Sequence, residues 1–351
     1  MSGHVRSDKK TLFGAAINPP VFFGSLIVLL SLISTTIIIG EPVEDLFRRV
    51  QANISDAAGW FFILLANLLM FFLIYLAFSK FGKIKLGGAE AKPDFSRISW
   101  FSMLFSAGLG IGLLFYGVAE PIYHFNDNPF VDNTDAIAAA KSAMGITFYH
   151  YGIQAWSIYA TVGLALAFFT FNLKLPLTIR SIFYPLLGDK IYGRWGDLID
   201  IISVIATVVG LATSLGLGAQ QVNAGLEYLF GIGYSREAQI VIIAVITALA
   251  TFSLLAGLDK GIRRLSEVNM GLAMVLLVFV LATGPTAFLM DSFVQNLGYY
   301  IDNFFKIGLW TESFVGVKDD SNWQNMWTVF YYAWWIAWSP FVGIFIARVS
   351  K

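Results

Sequence analysis

The sequence predicts an all-α integral membrane protein, and three observations carry that expectation. Hydrophobic residues make up 57% of the 351 and charged residues only 13%, against roughly a quarter charged in soluble domains. With a mean hydropathy of +0.69, a water-soluble core of this size could not hide so much apolar surface. The apolar residues are gathered into runs of about 20, long enough to cross a bilayer as helices. Barrel strands would read instead as alternating segments of roughly ten residues. The third observation is the placement of basic residues between those runs.

In chain order, residues 1–19 form a polar tail without the short apolar core and cleavage site of a removable signal peptide. Eight spans are expected, at 20–40, 59–79, 100–119, 144–171, 199–229, 239–257, 266–290 and 325–347. Spans 144–171 and 199–229 exceed the minimum length and should tilt, bend or extend past the bilayer. Between the last two spans, "DSFVQNLGYYIDNFFKIGLW" gathers Phe293, Leu297, Tyr300, Ile301, Phe304 and Phe305 on one helical face. That pattern predicts an amphipathic helix lying on the outer membrane surface within 291–324.

If the N-terminus lies inside, the inner segments hold 17 of the 23 Lys and Arg residues. The outer segments hold six: Arg48, Arg49, Lys141, Arg236, Lys306 and Lys318. The excess of basic residues on one side sets this orientation, and an even number of spans returns the C-terminus to the same side. The chain has no cysteine, which excludes disulfides and cysteine-ligated metals. A net charge of zero gives no basic patch for nucleic acid. No Ser-His-Asp, His-metal or phosphate-loop pattern is present, so no enzyme is expected.

Two features point beyond a bundle of apolar helices. In "FSAGLGIGLLFYGVAEP" (105–121), Gly108, Gly110 and Gly112 alternate inside a span, although glycine is a poor helix residue. One reading is close helix packing, since Gly108 and Gly112 are four apart. The other is an unwound stretch whose carbonyls, from Ser106 to Leu109, face a cavity. The second feature is aromatic density in "FYHYGIQAWSIYA" (148–160) and "WTVFYYAWWIAWSPF" (327–341). Trp327 and Tyr331 suit the interfacial belt, whereas Trp335 and Trp338 lie deeper. Trp156 and Tyr159 share a helix face. Such rings are the usual means of holding a quaternary ammonium group, which can donate no hydrogen bond.

Among polar residues, Glu120 suits either a proton or gate carboxylate or a structural or solvated role at a span end before Pro121. His150 reads either as a hydrogen-bonded or as a proton-coupled histidine. Glu227 reads as solvated, and Asp197 and Asp200 as acids favouring a helix N-terminus.

"GLGIGLLFYGVAEP", "WSIYATVGLALAFFTF" and "WTVFYYAWWIAWSPFVGIFIARVS" resemble, in the family's order, three stretches of the betaine/carnitine/choline transporter (BCCT) family, from about residue 95 onward. The resemblance implies twelve helices, two peripheral ones followed by a LeuT-type five-plus-five inverted repeat. The first eight of these would be present here. Residues 20–79 would be the peripheral pair, 98–290 the first five-helix repeat, and 325–351 the first helix of the second repeat. It also implies secondary transport of a trimethylammonium compatible solute, glycine betaine foremost, by a multi-pass protein of the plasma (inner) membrane with a cytoplasmic N-terminus. A homotrimer in the lipid bilayer is implied as well. The alternatives are a truncated, non-transporting remnant or subunit, or a carrier for choline, carnitine, proline, ectoine or a dimethylsulfonium compound.

By position, Trp156, Tyr159 and Trp335 match the family's aromatic cage. Tyr151 and Tyr332 stand where it usually has Trp, and Trp338 matches an aromatic of the exit route. Gly112 replaces an Asp frequent in choline carriers, which favours a zwitterion. Sodium, the one coupling ion implied and with no other cofactor, would meet the carbonyls of Ser106 and Leu109. A second sodium site would use Phe341 and a hydroxyl of the fifth span, with Thr207, Thr213 and Ser214 as candidates. Residues 266–290 carry a single charge, Glu267, and no arginine of the kind that marks sodium-independent exchangers.

Overall fold

The computed structural model describes residues 10–12, 15–108, 110–314 and 322–350. A small antiparallel hairpin, β1 (Lys10–Leu12) with β2 (Ala15–Ile17), precedes the first helix. The rest is helical: α1 (Pro19–Ile39), α2 (Glu41–Phe78), α3 (Arg97–Gly108), α4 (Ile111–Asn126), α5 (Ala136–His150) and α6 (Ile153–Ala167). After them come the short α7 (Tyr184–Leu187), then α8 (Arg194–Phe230), α9 (Arg236–Leu255), α10 (Arg263–Thr283), α11 (Thr286–Asp302), α12 (Phe304–Gly308) and α13 (Phe330–Val349). One π turn extends α6 through Asn172, and another, Asn325–Val329, leads into α13.

Among the described residues, seven helical stretches are long and apolar enough to cross a membrane, rather than the eight expected. The missing one is 100–119, which is divided into α3 and α4. Other boundaries also differ. The second span is part of one 38-residue helix beginning at Glu41, because a polar helical segment precedes its apolar half. The fourth begins at Ala136 and is interrupted at Tyr151–Gly152. The seventh ends at Thr283 rather than 290. Gly284 and Pro285 follow it, and α11 then covers the first part of 291–324 with Phe293, Leu297 and Ile301 exposed and Tyr300 buried, while Phe305, also exposed, lies on α12.

The core lies where α13 runs along α6. Gly343 and Gly163 permit the close approach: a Cβ at Gly343 would come 2.5 Å from Val162 Cγ1, and one at Gly163 2.7 Å from Ile346 Cγ2. Small residues at such crossings are how helices pack tightly in lipid. Around this seam Tyr149, Ile158, Tyr159, Tyr332, Trp334 and Trp335 are buried. At the periphery, α9 buries no residue and α10 only Ser266. Side chains such as Ile38 (81% exposed) and Leu255 (77% exposed) would be costly in water, but are the ordinary surface of a protein in hydrocarbon.

A polar clasp ties the loop after α6 to the start of α8. The buried Arg180 guanidinium donates through Nε to Asp200 Oδ2 (2.7 Å), through Nη2 to Asp197 Oδ1 (2.8 Å) and through Nη1 to the Ile191 carbonyl (3.1 Å). Asn18 Nδ2 also donates to Asp197 Oδ1 (3.3 Å), which ties the residue before α1 to the same point. Asp197 and Asp200 are therefore partners of Arg180 and not only helix-terminal acids.

Candidate functional site

Between α3 and α4 the helix is interrupted. Gly110 is extended (φ −87°, ψ 176°), and its N–H bonds to the Gly108 carbonyl at 3.0 Å. In a continuous helix that N–H would bond to the carbonyl of Ser106, so the Ser106 oxygen has lost its helical donor. The Ser106 hydroxyl accepts from Asn269 Nδ2 (3.1 Å) and donates to the Ser266 carbonyl (3.4 Å), tying α3 to α10. Leu109 lies outside the described residues. Gly112 is in the first turn of α4.

The break opens onto a cavity of about 130 Å³, smaller than the 300–1,000 Å³ usual for drug-sized ligands and suited to one small solute. Gly108 and Gly110 form one wall. Tyr151, Trp156 and Tyr159 come from the α5–α6 region, and Trp335 and Trp338 come from α13. The rings pack edge to face: Tyr151 on Trp335 at 5.8 Å between centroids, Trp156 on Tyr159 at 6.0 Å, and Tyr159 on Trp338 at 6.4 Å. The glycines make room for them. A Cβ at Gly108 would lie 1.6 Å from Trp156 Cη2, and one at Gly110 3.5 Å from Trp338 Cη2. The stretch is thus interrupted at Gly110, and Gly108 packs against a ring of α6. The Trp338 indole N–H is buried and has no acceptor among the described residues, an uncommon condition for a native donor.

A second cavity, of about 810 Å³, is larger. Thr207 and Phe341 share its wall with Lys174 and the Arg180–Asp197–Asp200 clasp, well separated in kind from the aromatic chamber. The structure therefore brings Tyr151, Trp156, Tyr159, Trp335 and Trp338 together and places Thr207 and Phe341 on the wall of the larger cavity. Ser106 stands two residues before Gly108, and Ser214 lines the aromatic cavity. We place the site in the smaller cavity because its wall is ring faces and bared backbone.

Next to the chamber is a buried polar cluster that the sequence reading only half anticipated. Glu120 is fully buried and so not solvated. Its Oε1 is 3.0 Å from His124 Nε2 and 2.5 Å from His150 Nδ1, and its Oε2 accepts from the Tyr331 hydroxyl at 2.7 Å. Tyr331, expected in the interfacial belt, is 1% exposed. His124 was not singled out from the sequence. The signal available was its spacing, four residues after Glu120 on one helix face. Nothing local points to Tyr331 or to Thr328, whose Oγ1 lies 2.9 Å from His150 Nε2.

The sequence model of the betaine/carnitine/choline family transporters matches residues 20–351. The chain belongs to the BCCT family. Among its relatives, the glycine betaine transporter OpuD of Bacillus subtilis is 48% identical over 314 residues, which cover 89% of this chain and 60% of the relative. A glycine betaine transporter of Acinetobacter baylyi is 43% identical over 337 residues, 96% of this chain and 50% of that protein. The high-affinity choline transport protein of Escherichia coli K12 is 45% identical over 337 residues, 95% and 49% respectively. This BCCT chain thus spans about half to three-fifths of the length of these curated relatives.

Proposed function

We propose that this chain carries the substrate chamber of a secondary carrier that imports a trimethylammonium compatible solute, glycine betaine foremost, coupled to sodium. The carrying observation is the aromatic cavity closed by the Gly108–Gly110 break. A quaternary ammonium group offers only dispersed positive charge, and converging ring faces meet it in a desolvated space, each good face contributing roughly 2 kcal/mol or more. A zwitterion also brings a carboxylate. The N-terminus of α4, at the break, carries partial positive charge, and the Trp338 N–H lacks an acceptor among the described residues. We assign both to that carboxylate. This arrangement favours betaine over choline, in keeping with Gly112 where choline carriers often have Asp. Proline, carnitine, ectoine and dimethylsulfonium compounds share parts of this chemistry and are outcomes of the test.

The Ser106 carbonyl, released from its helix, is the first sodium ligand we assign, with Leu109 beside it in sequence. Thr207 and Phe341 are the second pair. The LeuT-type repeat, the inner-membrane setting with a cytoplasmic N-terminus and a homotrimer contacting through α11 complete the proposal. The deciding experiment is calorimetric titration of the purified chain in lipid nanodiscs with glycine betaine, choline and proline, with and without sodium. Betaine should bind most tightly, and more so in sodium. Equal, sodium-independent binding of all three would refute the reading.

A further inference from the structure

The Glu120 cluster has unbalanced charge unless it takes up a cation. Glu120, His124 and His150 have no exposed surface, and one polar atom of each lies within 4.8 Å of those of the other two. The groups facing them can be named element by element. On α4 they are Tyr116, Tyr123 and, at the helix end, Asp127. At the α5–α6 corner they are Tyr149 and Tyr151. The π turn contributes Thr328 and Trp327, α13 contributes Tyr331, and Trp323 covers both imidazoles. Among the described residues, the ion-pair partners of Glu120 are the two imidazoles alone. Among the described residues no Lys or Arg pairs with the carboxylate, and an isolated buried carboxylate is strongly disfavoured.

Hydrogen bonding distinguishes the two rings. His150 has an acceptor opposite each nitrogen, Glu120 Oε1 at Nδ1 and Thr328 Oγ1 at Nε2. His124 has one at Nε2, while its Nδ1 is buried and has no partner among the described residues. A second proton on His124 would bury an N–H without an acceptor. On His150 it would leave every donor satisfied.

We propose that this cluster is a proton-binding site, in which His150 takes a second proton from solvent water as counter-ion to Glu120 and Tyr331 joins the pair to the wall of the aromatic chamber. Tyr331 donates to Glu120, accepts from the Tyr151 hydroxyl at 3.4 Å and stacks on Trp335 at 5.2 Å. The chamber therefore has a neighbour that is neutral with the proton and singly negative without it. A cationic ligand senses that difference in full, whereas a zwitterion of zero net charge senses less. The proton site stands apart from the betaine reading; only its effect on ligands rests on that reading.

The chain has three histidines, so ¹⁵N-imidazole labelling gives a readable spectrum. For the full chain in nanodiscs at neutral pH, one buried ring should show both nitrogens protonated, and the other a single proton on Nε2. His124→Gln and His150→Gln assign the signals. Glu120→Gln should convert the His150 signal to a neutral ring, while Tyr331→Phe, which keeps the pair, should leave it charged. Two neutral buried rings in the wild type, or a His150 signal indifferent to Glu120→Gln, would overturn the proposal. If Glu120→Gln does not fold, the wild-type and Tyr331→Phe spectra still decide. In parallel, choline affinity should rise about tenfold once alkaline pH removes the proton, the scale of one charge roughly 10 Å away at an effective dielectric near 20. Betaine affinity should change less, and Glu120→Gln should abolish the difference. A pH-independent choline affinity would overturn the coupling to the chamber. A chain that binds neither solute sinks the betaine reading alone, because the imidazole spectra do not depend on it.

Discussion

At the scale of single residues, the proposed recognition rests on the ring faces and one indole N–H. Trp335→Leu keeps bulk and apolarity but removes a π face worth roughly 2 kcal/mol, so betaine affinity should fall about tenfold or more. Trp327→Leu, which removes a half-buried ring packed on His124 at 4.5 Å and not part of the chamber wall, should cost much less. Equal losses in a titration of both variants would make Trp335 structural. Trp338→Phe keeps a ring but deletes the orphan donor, so betaine binding should weaken by about tenfold while choline, which has no carboxylate, is nearly unaffected. The chamber aromatics were legible in the sequence because Trp and Tyr are costly to place in mid-span without a purpose. Tyr331 was not. It stands within two turns of the span end, where a belt residue and a buried one look alike until the neighbouring helices are in place.

At the scale of elements, the break between α3 and α4 was readable from three glycines in five residues. The second interruption, at Tyr151–Gly152, was hidden in an aromatic run with one unremarkable glycine. Likewise the first half of α2 escaped because a search for apolarity passes over a polar helix, although Glu44 and Arg48 pair four residues apart, a helical signal in its own right. Gly108→Ala drives a methyl group into Trp156 and should weaken betaine binding by roughly tenfold or more through the displaced ring. Gly117→Ala, with no atom within 4 Å of the new methyl, is the neutral comparison. The Arg180 clasp joins residues 17 and 20 apart along the chain, a pairing that no periodicity announces. Arg180→Met leaves two carboxylates without their partner and should cost about 3–5 kcal/mol, read as an earlier loss of the folded peak in heated size-exclusion runs. An unchanged transition would reduce the clasp to a surface ion pair.

At the scale of the molecule, the charge distribution makes a directional statement. The absence of native cysteine allows it to be tested with single introduced thiols at two exposed positions, Asp132 and Lys85. A membrane-impermeant maleimide should reach Asp132→Cys from outside intact cells and Lys85→Cys only after lysis. Outside labelling of Lys85→Cys would invert the bundle. The break at Gly110 has a mechanical meaning as well. Its two arms have largely different partners: α3 is tied to α10 through Ser106, Asn269 and Ser266 and meets only the far end of α13, through Trp100 and Ser350, whereas α4 is tied to α5 and the near end of α13 through Glu120, His150 and Tyr331. A turn about the extended residue between them changes the angle of one arm to the other without breaking a hydrogen bond inside either. The chamber wall at Gly108 and Gly110 is therefore also a joint, and a solute seated against it lies at the pivot, where a small rotation moves its surroundings least and the distant ends of both levers most.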